Sequence, residues 1–369
     1  MSYKNDIIKK NWEKLRTTMN INDFLEQAAS LGASDVHISV GLSPIMRCCG
    51  KLQTMKGPLI TWEIAEDLKK ELLTENQNIT LEKIGEIDLA VTINKDKRFR
   101  LNIYKERGNW CFAFRYLNTE ILSFDELGLP SVVKKLCEMH QGLILITGPT
   151  GMGKTTSLSS MVDYINTNYD KHIITLEEPI EYLHSHKKSI VNQREIGTDT
   201  DSFSSALKAV LRQDPDVILV GEMRDLDSIS IALTAAETGH LVLSTLHTIG
   251  TAKTIDRIID VFPPYQQAQV RTQLSAVLNC VISQQLIPAI DPSKRILAYE
   301  VMIQTPAISS LIREGKTHQI PNVLQTSSKH HMITMDKCLY NLYKKKKITR
   351  KTALLYCIDP EHMKKLLMP

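Results

Sequence analysis

One octapeptide constrains the fold of this chain more than any other feature. Gly148-Pro149-Thr150-Gly151-Met152-Gly153-Lys154-Thr155 matches the pattern G-x-x-x-x-G-K-[ST]. It follows an apolar run, Leu143 to Thr147, and opens a helical stretch, which is the strand–loop–helix context that the pattern requires. Glycines let backbone N–H groups curl around a phosphate, and the positive end of the following helix points at the anion. The sequence therefore predicts a phosphate-binding loop in an α/β domain.

The side chains of this loop are predicted to bind ATP and Mg²⁺. The Lys154 ammonium bridges the β- and γ-phosphates, and the Thr155 hydroxyl takes a position on Mg²⁺. The predicted nucleotide-binding residues are Gly148, Pro149, Thr150, Gly151, Met152, Gly153, Lys154, Thr155 and Thr156.

The hydrophobic pattern predicts two structured regions of different type. Five short strand-like runs lie between Val36 and Tyr116, with a helix from Thr61 to about Leu73 among them, and an amphipathic helix with Asn22 as its N-cap precedes them. From Gly142, apolar runs of four to six residues alternate with helical stretches, as buried parallel strands do. This order predicts a three-layer α/β domain.

These patterns give four predicted segments. Residues 1–118 form a small α+β domain, 119–141 a linker with one helix, 142–263 the ATPase core and 264–369 a helical C-terminal part. Gln266 to Gln285 is the clearest helix of that last part.

Composition narrows the function classes. A formal net charge of +4 over 369 residues does not favour a nucleic-acid-binding protein. No apolar run approaches the roughly 18 to 20 residues that cross a bilayer, and residues 1–10 carry no signal-peptide core. The seven cysteines include no Cys-x-x-Cys pair, which disfavours a zinc site. We therefore expect a cytoplasmic protein.

Acidic and histidine residues follow the predicted strands. Glu222 ends the run Val217-Ile-Leu-Val-Gly-Glu, and a cluster of three glutamates, Glu177, Glu178 and Glu181, follows another strand. Active sites of open α/β sheets lie at the carboxyl ends of the strands, so both groups should face one crevice. Spacing alone does not select which glutamate of the cluster polarises the attacking water. His240 and His247 bracket one strand, with His247 at its carboxyl end. A histidine here is either a structural residue or a functional one that senses the γ-phosphate or supports a catalytic carboxylate.

With these motifs the chain resembles the secretion-ATPase superfamily and, within it, the type IV pilus retraction ATPases. The resemblance covers about Ile21 to the C-terminus. Besides the phosphate loop it rests on an acidic box, a polar run, a Walker B element and a His box, which read Glu177-Glu-Pro-Ile-Glu181, Val191-Asn-Gln-Arg-Glu195, Leu219-Val-Gly-Glu-Met-Arg-Asp225 and Ala235-Ala-Glu-Thr-Gly-His-Leu-Val-Leu-Ser-Thr-Leu-His247.

The resemblance implies a homohexameric ATPase with a PAS-like N-terminal domain and a RecA-like core. It implies that Glu181 is the general base, that Glu222 organises Mg²⁺ and water, and that His240 and His247 are the two His-box residues. Arg100 and Arg115 fall where the family supplies arginines to a neighbouring subunit, where they neutralise charge on the γ-phosphate. The implied partners are the pilus machinery and its inner-membrane platform protein, at the inner face of the cell membrane.

Two departures from the family pattern leave alternatives open. Glu178 stands where the acidic box commonly has Asp, and Ser309 and Ser310 replace an Arg-Asn pair in the C-terminal motif Ala307-Ile-Ser-Ser-Leu-Ile-Arg-Glu314. One alternative is a pilus-assembly or type II secretion ATPase, which usually carries a tetracysteine insert that this chain lacks. The other is a nucleotide-binding regulator that does not hydrolyse ATP.

Overall fold

The computed structural model describes residues 20–48, 50–93, 97–117, 120–291, 294–327 and 331–368, which form two compact units. The first unit contains the N-terminal part through Glu120 together with the short segment Pro179–Leu183. The second unit contains Ile121–Glu178 and His184 onward. The predicted linker 119–141 therefore groups with the second unit from Ile121 onward, and five residues of the acidic-box region group with the first. Residues 1–10, which were predicted to lack a signal-peptide core, lie outside the described residues.

The N-terminal unit is a six-stranded antiparallel sheet with helices. Its strand order is β3-β2-β1-β6-β5-β4. The elements are α1 (Ile21–Ser30), β1 (Ala33–Ile38), β2 (Ile45–Cys48), β3 (Lys51–Thr54), α2 (Trp62–Leu72), α3 (Glu75–Ile84), β4 (Glu86–Ile93), β5 (Lys97–Glu106) and β6 (Asn109–Leu117).

Most of these elements agree with the sequence pattern, but one predicted cap is wrong and two elements were not predicted. The N-cap of α1 is Asn20, whose side chain accepts a hydrogen bond from Asn22 N, so the predicted cap at Asn22 is wrong. The strand β3 has four exposed residues and offers no hydrophobic pattern. The helix α3 was missed as well, although Thr74 and Gln77 form a capping box at its start.

The second unit contains a seven-stranded mixed sheet with helices on both faces. Its strand order is β13-β12-β7-β11-β10-β8-β9, and all neighbouring pairs are parallel except β12 with β13. Alternate residues of β7 enter two different cores, Leu143 and Leu145 on one face and Ile144 and Ile146 on the other. The three-layer α/β prediction is confirmed.

The helices and strands of the second unit begin with a helix at Phe124 and end with a helix at Leu366. They are α4 (Phe124–Leu127), α5 (Val132–Cys137), β7 (Gly142–Thr147), α6 (Lys154–Asn168), β8 (His172–Glu177), β9 (Ile190–Glu195), α7 (Phe203–Val210), β10 (Val217–Val220), α8 (Leu226–Glu237), β11 (Leu241–Leu246), α9 (Thr251–Asp260), α10 (Pro264–Val277), β12 (Leu278–Pro288), β13 (Arg295–Ile303), α11 (Pro306–Arg313), a 3-10 turn (Thr317–Gln319), α12 (Ile320–Thr326), α13 (Met335–Lys344), α14 (Arg350–Tyr356) and α15 (Pro360–Leu366).

The predicted helix Gln266 to Gln285 is wrong over its second half. The helix α10 ends at Val277, and β12 starts at the next residue and pairs with both β7 and β13. The sheet therefore continues beyond residue 263: α10 is followed by the strands β12 and β13, and the elements after Ile303 are helical. Among the residues that the structure describes, no helix combines the length and the apolar composition that a membrane crossing needs.

Candidate functional site

The phosphate loop connects β7 directly to α6. Gly148 has φ +146°, and a Cβ built there would lie 2.3 Å from the backbone oxygen of Gln284, so no side chain fits. Gly153 has φ +79° and is the N-cap of α6, a left-handed conformation that glycine adopts without strain. The first glycine of the motif thus allows a close approach of two backbone segments, and the last one begins the helix.

Lys154 lies inside this loop. Its side chain is 8% exposed, and Nζ donates to Gly148 O at 2.9 Å and to Pro149 O at 3.1 Å. Thr155 follows in the first turn of α6 and is exposed. The ammonium, the N-terminus of a 15-residue helix and an accessible hydroxyl fit a phosphate chain with a bound Mg²⁺.

Gln284 on β12 holds the phosphate loop and the helix after it in place through two hydrogen bonds. Its side chain is fully buried; Nε2 donates to Met152 O at 2.8 Å, and Oε1 accepts from Ser157 Oγ at 3.0 Å. The residue therefore joins the phosphate loop to the helix that follows it. The sequence reasoning missed this role because it placed Gln284 in a helix.

A chain of polar contacts connects Glu222 to the phosphate loop. His247 Nε2 lies 3.1 Å from Glu222 Oε1, and His247 Nδ1 lies 3.3 Å from Thr150 Oγ1. A neutral imidazole protonated at Nε2 satisfies both contacts, donating to the carboxylate and accepting from the threonine. The structure thus brings together three residues that are far apart in the sequence and follow three different strands.

Gly221 explains how Glu222 reaches this position. Gly221 N donates to Leu176 O at 2.8 Å, and a Cβ at residue 221 would lie 3.1 Å from that same oxygen. The chain therefore passes tightly against the end of β8. This close passage places Glu222 next to the acidic box.

Arg224 was not recognised from the sequence as a site residue. Its Nε donates to Glu222 Oε2 at 2.8 Å, and Nη1 donates to Glu178 Oε2 at 3.3 Å. One guanidinium thus bridges the Walker B acid and the second acid of the acidic box. Its place two residues after Glu222 was the only available signal.

The three acids of the acidic box have different surroundings. Glu177 is buried, and its Oε1 accepts from Thr175 Oγ1 at 2.6 Å and from Gln193 Nε2 at 3.1 Å. Glu178 pairs with Arg224. Glu181 lies in the segment that belongs to the N-terminal unit, where Arg98 Nε donates to the neighbouring Ile180 O at 2.6 Å. Glu177 and Glu178 are therefore engaged within the second unit, and the assignment of Glu181 as base stays a prediction.

The two histidines of the His box lie at opposite ends of β11. Leu246 pairs with Thr147 next to the phosphate loop, whereas Leu241 pairs with Gly142 at the other edge of the sheet. His240 precedes Leu241, and its Nδ1 contacts Ala235 O at 3.0 Å, at the end of α8. Within this unit the structure does not bring His240 to the phosphate loop, and its catalytic role stays a prediction.

Arg100 and Arg115 lie opposite each other on β5 and β6 of the N-terminal unit. Arg100 forms two hydrogen bonds with Asp88, at 3.0 and 3.4 Å, and Arg115 Nε lies 3.0 Å from Asp35 Oδ1. Burial by itself raises the pKa of the Asp35 carboxyl, but hydrogen bonds from Ser34 and Arg115 outweigh it and hold the pKa below its ordinary value. Both arginines are thus held on one sheet face by aspartates.

Ser309 and Ser310, the departures in the C-terminal motif, make local contacts on α11. Ser309 Oγ donates to Ser275 O at 3.0 Å at the end of α10, and Ser310 Oγ donates to Glu314 Oε1 at 2.8 Å. The two serines therefore fasten α11 to α10 and to its own C-terminus.

Burial lowers the pKa of His184, and this shift predicts that the stability of the protein depends on pH. Burial lowers the pKa of His184 from 6.5 to about 4, and its Nδ1 is one of the buried atoms for which the described part of the chain offers no hydrogen-bond partner. Because the folded pKa is the lower one, the unfolded chain takes up the proton first as the pH falls. We expect the free energy of unfolding to decrease from pH 6.5 to pH 4 by about 3 kcal/mol from this residue, with no further change below.

Urea unfolding of the wild type and of His184→Gln at several pH values measures this effect. The difference between the two pH curves removes the contribution of the carboxylates that both proteins share. If the free energies of unfolding of the two proteins change in parallel between pH 6.5 and 4, His184 has the same pKa in the folded and the unfolded state.

A family model and several known proteins match this chain over much of its length. The family model of the type II/IV secretion system proteins matches residues 13–353. The type IV pilus retraction ATPase PilT of Pseudomonas aeruginosa is 45% identical over 344 residues, which cover 93% of this chain and 100% of that protein. The type IV pilus assembly ATPase PilB of the same organism is 40% identical over 209 residues, which cover 55% of this chain and 35% of that protein.

The fold is shared with a solved structure. A crystal structure of the pilus retraction motor PilT with bound ADP superimposes with a TM-score of 0.88, at 46% identity, over 94% of this chain and 99% of that one. Similarity therefore extends through both units.

Proposed function

Because the chain belongs to the type II/IV secretion system protein family and is an ATPase of that family, we propose that it hydrolyses ATP to power the retraction of type IV pili. The similarity to a retraction ATPase over that protein's whole length carries this proposal. The similarity to an assembly ATPase stops at about a third of that protein. The retraction ATPase is therefore more similar to this chain than the assembly ATPase is, both in sequence identity and in the share of its length that matches.

Apart from Glu181, the residues proposed to act on the ATP that binds to their own chain all belong to the second unit. Lys154 and the amides of the phosphate loop bind the phosphate chain of ATP. Thr155 and Glu222 would hold Mg²⁺, which would supply positive charge to the phosphates. His247 orients the Glu222 carboxylate through the 3.1 Å contact and connects it to Thr150. Glu181 accepts a proton from the attacking water. Arg224 keeps Glu178 and Glu222 together despite their like charge.

We propose that the active protein is a homohexamer at the inner face of the cell membrane, where it acts on the inner-membrane platform protein of the pilus machinery. Arg100 and Arg115 then act on ATP bound to a neighbouring subunit, exchanging Asp88 and Asp35 for the γ-phosphate. The exposed position of Arg115, with 69% of its side chain accessible, supports this exchange.

A monomeric form of the protein should be nearly inactive. Without a neighbouring subunit, ATP lacks the arginines that stabilise the transition state, a loss of about 10³-fold or more. Light scattering to determine the mass, combined with ATPase assays over a dilution series, measures this effect. A specific activity that stays constant from hexamer to monomer would contradict the exchange of arginines between subunits.

Deletion of the gene in a piliated host tests the direction of work. We expect pili to remain on the surface and retraction to stop. Loss of surface pili would instead identify an assembly ATPase.

An ATPase assay of the purified ring tests the remaining alternative. Full binding of ATP without steady-state hydrolysis would identify a regulator.

A further inference from the structure

The loop that carries Glu181 starts and ends in the second unit. Glu178 and His184 belong to that unit, whereas Pro179–Leu183 does not. A general base must be held within hydrogen-bonding reach of the water it activates. The position of Glu181 therefore depends on what fixes the two ends of this loop.

Gln193 on β9 binds both ends of the loop with one side chain. Its Nε2 donates to Glu177 Oε1 at 3.1 Å, and its Oε1 accepts from His184 N at 2.8 Å. A backbone N–H only donates and a carboxylate only accepts, so a single orientation of the amide satisfies both ends. The residues just before and just after Glu178–Leu183 thus share one planar group.

Further contacts make these two ends rigid. Glu177 also accepts from Thr175 Oγ1, and the whole side chain is 8% exposed. His184 Nε2 lies 3.3 Å from Ser159 Oγ on α6, the helix that begins at Lys154. Through His184, the second end of the loop therefore contacts the helix that carries the phosphate-binding lysine.

We propose that Gln193 is a positioning residue for the catalytic base: it closes the ends of the Glu178–Leu183 loop, on which Glu181 lies. This inference rests on the proposed function, in which Glu181 is the base. The two described bonds of Gln193 go to the ends of the loop that carries Glu181, so we expect its loss to lower the rate of hydrolysis more than the affinity for nucleotide.

Gln193→Met tests the proposal, because methionine keeps the length and removes both hydrogen bonds. We expect kcat for ATP hydrolysis to fall about 10- to 100-fold, a loss in the range expected for a misplaced general base. KM for ATP and Kd for ADP should stay within about two-fold. Asn192→Met is the matched control, since Asn192 is the exposed neighbour on the same strand and should retain the wild-type kcat.

Gln193→Asn provides a second variant that keeps the amide but shortens its reach by one carbon, and it should also lose kcat. In a Glu181→Gln background, Gln193→Met should have little further effect, since both changes remove the same function. Wild-type kcat in both single variants would overturn the proposal. So would a loss of ADP binding or of ring assembly in both, which would make Gln193 a structural residue.

The same measurements separate this inference from the proposed function. If Glu181→Gln hydrolyses ATP at the wild-type rate, the assignment of the base fails. If Glu181→Gln is inactive and both Gln193 variants are fully active, only the positioning role fails.

Discussion

Lys154→Ala is expected to lower the ATPase rate by about 10³-fold or more and to weaken nucleotide binding. The ammonium lies within the loop, bonded to Gly148 O and Pro149 O, so that it faces the space enclosed by the loop amides. Removing one preorganised donor from a developing negative charge typically costs about 10²- to 10³-fold in rate. Here the lost group also carries a full positive charge toward a triphosphate.

Steady-state ATPase assays and calorimetry with ADP measure the two effects. Lys171→Ala is the matched control, because Lys171 lies just before β8, at the opposite end of the strand from the acidic box, and pairs with Asp216. We expect this control to hydrolyse ATP normally. Normal turnover in Lys154→Ala itself would show that the octapeptide does not bind the phosphates of ATP.

Glu222→Gln is expected to reduce hydrolysis by about 10²- to 10³-fold and to leave ADP binding within a few-fold of the wild type. Glutamine has the same shape, and its Oε1 still accepts from His247 Nε2. It loses the negative charge that holds Arg224 at 2.8 Å and that would contribute to Mg²⁺ binding. The chemical step depends on this charge more than the binding of the phosphates does.

Single-turnover hydrolysis and ADP titrations distinguish these two effects. Glu237→Gln serves as control, since Glu237 is an exposed glutamate at the end of α8 that contacts Gln273. Equal turnover of Glu222→Gln and wild type would remove Glu222 from the catalytic set. Loss of ADP binding in Glu222→Gln would instead indicate that the carboxylate shapes the nucleotide site.

The phosphate loop and the central strands could be predicted because their residue types have few alternatives. A glycine with φ +146° against a backbone oxygen and a buried lysine at a helix start admit almost no other residues. The strands β7, β10 and β11 are buried throughout, so their apolar runs are continuous. The rule that sites lie at the carboxyl ends of parallel strands also predicted that Glu222 and Glu178 lie near each other, and Arg224 bonds to both.

The strand β12 could not be recognised because no sequence signal separates it from the preceding helix. Val277 ends α10 and Leu278 begins β12, with neither glycine nor proline between them. Pairing with β7 and β13 decides the conformation, and it joins residues that are far apart in the sequence, such as Cys280 and Ile144. Because β12 was not predicted, the contacts of Gln284 with the phosphate loop could not be predicted either.

The strand β9 and Arg224 were missed for a different reason. β9 is an edge strand whose sequence Ile190–Glu195 is mostly polar, and polar residues do not give a strand pattern. Arg224 is 61% exposed, and only the meeting of two distant glutamates gives it a role. Such roles depend on three-dimensional proximity, which residue spacing does not encode.

The grouping of Pro179–Leu183 with the N-terminal unit limits how the protein can be divided for study. A shortened protein that begins at Ile121 would keep this segment but lose Arg98, the donor to Ile180 O, and would uncover the Ile180 side chain, which is now 7% exposed. An excised ATPase half would therefore carry an altered acidic box. Low turnover of such a fragment would be uninformative about whether arginines from another subunit are needed.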